Sequence, residues 1–113
     1  MAKEFYNRKN ALVVCLYGEI DQYAAAELKT KIDIEIENSV KKNCIIDLTE
    51  VELMDSSGIG LIVGRYKLVT SLGGKFAICS ASDYIKKMID LSGITKVIKY
   101  YNSISEAEIA FAN

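Results

Sequence analysis

Apolar residues recur along this chain in two alternating rhythms, short unbroken runs and stripes at helical spacing, and their order predicts alternating strands and helices. The run Ala11-Leu12-Val13-Val14-Cys15-Leu16-Tyr17 reads as a strand, stopped by Gly18-Glu19. A helix follows over roughly residues 22–38, with Ala25, Leu28, Ile32 and Ile36 on one stripe and Lys29, Lys31 and Glu35 among its polar positions. Asp21 stands where its carboxylate can cap that helix. Cys44-Ile45-Ile46-Asp47-Leu48, apolar and β-branched, reads as a buried strand. In the next helix Ile59, Ile62 and Val69, joined by Leu61, Leu68 and Leu72, fall at helical spacing, while Arg65 and Lys67 lie elsewhere on the wheel. Gly73-Gly74 ends that helix, since glycine takes the left-handed conformation of a C-terminal cap.

Three further elements complete the pattern. Residues 75–80 predict a strand, and residues 83–91 a shorter helix that stops before Gly93. Residues 97–101 predict a last strand, and Ser103-Ile104-Ser105-Glu106 has capping-box spacing for a final helix toward Phe111. Strands alternating with helices over short connections imply an α/β domain whose parallel strands are joined by right-handed crossovers. Several strands are apolar on both alternate sets of residues, which predicts cover on both faces of the sheet. At 113 residues the chain, 1–113, makes one domain with room for a hydrophobic core and none for a second.

Composition narrows the function classes. The 14 basic and 15 acidic side chains leave a net charge of −1, with no basic concentration for a phosphate backbone, so nucleic-acid binding is disfavoured. The N-terminal residues lead into no apolar signal core, and no apolar stretch is long enough to cross a bilayer. The expectation is a soluble, cytoplasmic chain, and nothing requires more than a monomer. Cys15, Cys44 and Cys79 are odd in number and widely spaced, which predicts buried reduced thiols. Histidine is absent, removing the base of Ser-His-Asp and Cys-His devices and the commonest zinc ligand. The expectation is no enzyme, no metal and no cofactor.

The chemistry concentrates at Asp55-Ser56-Ser57-Gly58-Ile59-Gly60, where adjacent hydroxyls stand between a carboxylate and glycines at a helix start. Asp55 or Ser56 can cap the helix by accepting from its first N–H groups. Capping needs one such residue, and here three polar residues precede Gly58, Gly60 and Gly64. A glycine-rich strand-to-helix turn can also cradle a phosphate, but the spacing is G-x-G-x-x-x-G and no Gly-Lys-Ser/Thr follows. The glycines have two readings, a helix pressed against its own sheet or a helix face left bare for another protein. Tyr66, beside Arg65 and Lys67, reads chiefly as surface helix packing.

Met54-Asp55-Ser56-Ser57-Gly58-Ile59-Gly60, continued by Val63-Gly64-Arg65-Tyr66-Lys67, resembles the signature of the anti-sigma factor antagonists of the STAS domain family. Gly18-Glu19-Ile20-Asp21 resembles the family's G-E-L-D turn, Gly73-Gly74 its helix end, and Leu91-Ser92-Gly93-Ile94 its later M/L-S-G-L segment. Isoleucine stands for leucine at Ile20 and Ile59. The resemblance implies a single small STAS-type domain, a mixed sheet of about four to five strands with about four helices in a right-handed β/α superhelix. It places the helices mainly along one side, and takes precedence over the two-sided cover read from the strands.

The resemblance also implies a partner switch. The unphosphorylated antagonist binds an anti-sigma factor that is itself a serine kinase and frees the sigma factor, in sporulation or a stress response. The kinase then phosphorylates the antagonist and releases it, and a serine phosphatase resets it. Carried over by residue, Ser56 is the phosphoacceptor, with Ser57 its main competitor. Asp21, Asp55, Ser57, Gly58 and Gly60 are the implied partner-binding residues. A STAS-type module that binds a nucleotide or phosphate at the same helix end is the alternative.

Overall fold

Each predicted helix begins beside a residue whose side-chain oxygen was available to cap it. The computed structural model describes residues 3–112. Asp21 Oδ1 accepts from the Ala24 N–H at 2.9 Å and starts α1 (Gln22–Asn38). Asp55 Oδ1 accepts from the Ser57 N–H at 2.8 Å and starts α2 (Ser56–Ser71). Ser82 Oγ accepts from Ile85 N–H at the start of α3 (Asp83–Ser92). Ser103 Oγ accepts from Glu106 N–H at the start of α4 (Ile104–Ala112). Of the two candidates for the α2 cap, Asp55 takes the role, leaving Ser56 as the first helical residue. Gly73 follows α2 at φ 82°, the left-handed turn its position predicted.

The strands are β1 (Lys3–Asn7), β2 (Leu12–Ile20), β3 (Cys44–Met54), β4 (Phe76–Cys79) and β5 (Lys99–Tyr101), hydrogen-bonded in chain order. β1 pairs antiparallel with β2, and the other pairs are parallel, which makes the sheet mixed. β1 was not anticipated: it is an edge strand whose Lys3, Glu4 and Asn7 carry no apolar signal, and pairing with β2 alone makes it a strand. The final strand is shorter than predicted, because residues 94–96 form a 3-10 turn before it.

β2 and β3 both outrun their predicted ends at Tyr17 and Leu48. Two register shifts, between Cys15 and Tyr17 and between Gly18 and Glu19, carry the pairing on to Ile20 and Met54. Gly18 sits at φ 74°, a conformation that costs glycine little, so it bends the strand where the sequence suggested a stop.

The strand residues divide between two clusters. Leu12, Val14, Leu16, Ile46, Leu48 and Ile78 pack under α1, α2 and α3 through Leu28, Ile32, Leu61, Ile62, Ile85 and Ile89. Val13, Cys15, Ile45, Ala77 and Cys79 lie on the opposite face, where α4 contributes Ala107 and Phe111. Three helices thus share one side, as the resemblance implied, and the fourth supplies the second cover that the apolar strands called for. Cys15, Cys44 and Cys79 are free and buried. Among the described residues no helix is long and apolar enough to cross a membrane.

Candidate functional site

The last in-register pair of β2 and β3 is Ile20 with Met54, and both side chains are buried. The next residue on each strand is a helix cap, so Asp21 and Asp55 emerge side by side from neighbouring strands. The Asp55 N–H donates to Ile20 O at 3.4 Å and ties the two turns together. A shallow open cleft of about 220 Å³ lies between them, lined by Glu19, Ile20, Asp21, Leu53, Met54 and Asp55. That is below the range of about 300–1,000 Å³ usual for small-molecule pockets. Its rim carries three carboxylates and the half-exposed Leu53, while Tyr23, two residues beyond Asp21, is 78% exposed. Leu53 and Tyr23 escaped sequence reading: Leu53 lies beyond the predicted end of its strand, and Tyr23 falls off the apolar stripe of its helix.

Ser56 stands at the mouth of this arrangement. It is exposed, whereas Ser57 is half-buried and gives its N–H to Asp55. Among the described residues no hydrogen bond engages the Ser56 hydroxyl, so it is open to a reagent from solvent. The Gly58 N–H donates to Asp55 O at 3.0 Å, closing the first turn.

The three glycines of α2 separate into the two predicted classes. A Cβ at Gly58 would overlap Met54 Cγ and Sδ, so this glycine lets the helix start press against the end of β3. A Cβ at Gly60 or Gly64 would meet nothing within 4 Å, so these two leave an open strip along the outer side of the helix. Val63 lies between them, and the strip runs on to a largely apolar groove lined by Val63, Tyr66, Ile94, Val97 and Ile98. Tyr66 turns an edge toward Phe76 at 6.0 Å between ring centroids and 72° between planes, so it packs on the sheet and not on the helix surface alone.

Arg65 departs from expectation. It was placed off the apolar stripe, yet only 5% of it is exposed, and its Nε lies 2.7 Å from Asp33 Oδ1 of α1. Helical spacing placed it away from the sheet; the neighbouring helix buries it.

The domain thus presents an accessible serine at a helix start, two cap carboxylates beside it and an open strip leading away along α2. Residues 2–107 match the STAS domain, and the chain belongs to that family. It is 31% identical over 110 residues to the anti-sigma F factor antagonist of Paenibacillus polymyxa, covering 94% of each chain. The fold superposes on unphosphorylated SpoIIAA, an anti-sigma factor antagonist, with a TM-score of 0.81 and 22% identity, over 99% of this chain and 98% of that one. It also superposes on the phosphorylated form of the Bacillus cell fate determinant SpoIIAA, with a TM-score of 0.72 and 25% identity, over 99% and 100% of the two chains.

Proposed function

We propose that this protein is an anti-sigma factor antagonist that docks its anti-sigma factor on the Asp21–Asp55 cleft and the open strip of α2, and that phosphorylation of Ser56 releases it. The observation that carries this reading is the exposed, unengaged Ser56 at the N-terminus of α2, next to a helix side kept bare by Gly60 and Gly64. A partner placed over Gly60 lies within one helical turn of Ser56, so a group added to the serine falls inside the contact.

The energetics favour a switch in binding over a switch in fold. Phosphate adds about −1.5 to −2 charges at neutral pH. The positive end of α2 favours that charge by roughly 0.3–1 kcal/mol. Asp55 and Asp21 oppose it, and because all these groups face water the opposing terms are both small. The free domain therefore keeps its fold. A docked partner would have to bury the phosphate beside two carboxylates, and a loss of about 1.4 kcal/mol already weakens binding tenfold.

The partner in this reading is an anti-sigma factor with serine kinase activity, which transfers the terminal phosphoryl group of ATP to Ser56 Oγ. A serine phosphatase reverses the modification by hydrolysis, and the cycle runs in the cytoplasm. The chain itself contributes no catalysis. Mass spectrometry after incubation with ATP and the anti-sigma factor from the same genome tests the reading. A single phosphate on Ser56 is expected; phosphate on Ser57 would move the acceptor, and no modification by an active kinase would refute the switch.

A further inference from the structure

We propose that the buried pair Arg65–Asp33 is a register lock between α1 and α2, positioning the two helix starts that form the docking cleft; the proposal rests on the function inferred above. Arg65 is 5% exposed, its Nη1 donates to Leu61 O at 3.3 Å, and its Nε lies 2.7 Å from Asp33 Oδ1. That short contact lacks the alignment of a hydrogen bond, and both atoms are shielded from solvent. Asp33 Oδ2 also pairs with Lys29 at 3.3 Å, toward the surface. A buried, poorly aligned ion pair is a weak source of stability compared with well-packed apolar side chains of similar volume. Stability alone therefore does not account for it.

What the pair supplies is a preferred register. The seam between α1 and α2 is otherwise aliphatic, with Leu28, Ile32 and Ile36 on one side and Leu61, Ile62 and Val69 on the other. Sliding one helix past the other by a turn, about 5.4 Å, would set aliphatic groups against aliphatic groups again. It would also part the buried Arg65 guanidinium from Asp33, which is strongly unfavourable. Arg65 is nine residues from Ser56 and Asp33 twelve from Asp21, distances of roughly 13 and 18 Å along their helices. The pair thus lies well behind the cleft while fixing how its two rims stand.

The test is the double variant Asp33→Leu/Arg65→Met in the full chain, with three readouts. Its melting temperature is expected to match or exceed that of the parent. In the free protein, the Ala24 and Ser57 amide resonances, one at each cap, should broaden or double. Affinity for the anti-sigma factor should fall roughly tenfold or more. Single, parent-like cap resonances in a folded double variant would overturn the proposal, as would parent-like affinity. If the double variant does not fold, Asp33→Asn, which keeps shape and removes charge, decides by the same amide readout. Failure of the parent itself to bind would sink the docking reading, while the cap resonances of the free variants still judge the lock.

Discussion

Gly58 and Gly60 stand two residues apart on one helix and meet opposite surroundings. Gly58 is buried against Met54, where a side chain would need the end of β3 to give way, and Gly60 faces open space. The inner side of α2 continues through Leu61, Ile62, Arg65 and Val69, all buried, while the outer side continues through Gly64 and Lys67. The same residue type therefore serves packing on one side and a vacancy on the other. Glycine in a helix costs about 0.5–1 kcal/mol relative to alanine. On the inner side the close approach offsets that cost; on the outer side nothing within the domain does, and a partner is the remaining beneficiary.

Substitutions can break this contrast, beginning on the inner side. Ile62 is fully buried, so Ile62→Ala should lower unfolding free energy by about 2–5 kcal/mol in urea titration. Gly58→Ala should cost about 1–2 kcal/mol, because the clash with Met54 exceeds the gain in helix propensity. A Gly58→Ala protein as stable as the parent would show that Met54 repacks freely and that the inner glycine is not needed for approach.

The outer side should answer in the opposite sense. Gly60→Leu should leave stability unchanged or slightly raised while weakening anti-sigma factor binding tenfold or more, about 1.4 kcal/mol, in a calorimetric titration. Unimpaired binding would mean that the strip is not part of the contact. Gly64→Ala should raise stability by about 0.5–1 kcal/mol, seen as a higher denaturation midpoint, since the added methyl group touches nothing.

A milder perturbation reports on the interior without mutation. Burial pushes Cys44 and Cys15 from 9.0 up to about 12 and Cys79 up to about 11. The folded state holds these protons when the unfolded state releases them, so stability is full below pH 9.0 and declines as pH rises toward 11 and 12. A denaturation series across that window should show the fall, and the thiols should react slowly with a disulfide reagent at neutral pH.

Much of the architecture was legible because local signals were strong. Asp21, Asp55 and Ser103 each announced a helix start, and each caps one. Gly73 and Gly93 announced helix ends and adopt left-handed backbone there. Segments whose identity depends on a neighbour were not legible. β1 is a strand only because β2 pairs with it. The second half of β3, Thr49 to Met54, alternates acidic and apolar residues and holds its course only by pairing with β2 past two irregularities. The cleft needed both misjudged strand ends, since their true ends bring Asp21 and Asp55 together.

By itself the sequence determined the order and kind of most elements, the identity of the helix caps, and the serine-glycine segment, because these follow from side-chain chemistry within a few residues. Tertiary structure decided which glycine is pressed and which is bare, that Arg65 is buried against Asp33, and how strand register delivers Asp21 to the side of Asp55, where the resemblance had implied a shared surface. Those outcomes depend on how strands register and helices cross. They are set by atoms far apart in the chain, and no local pattern carries them.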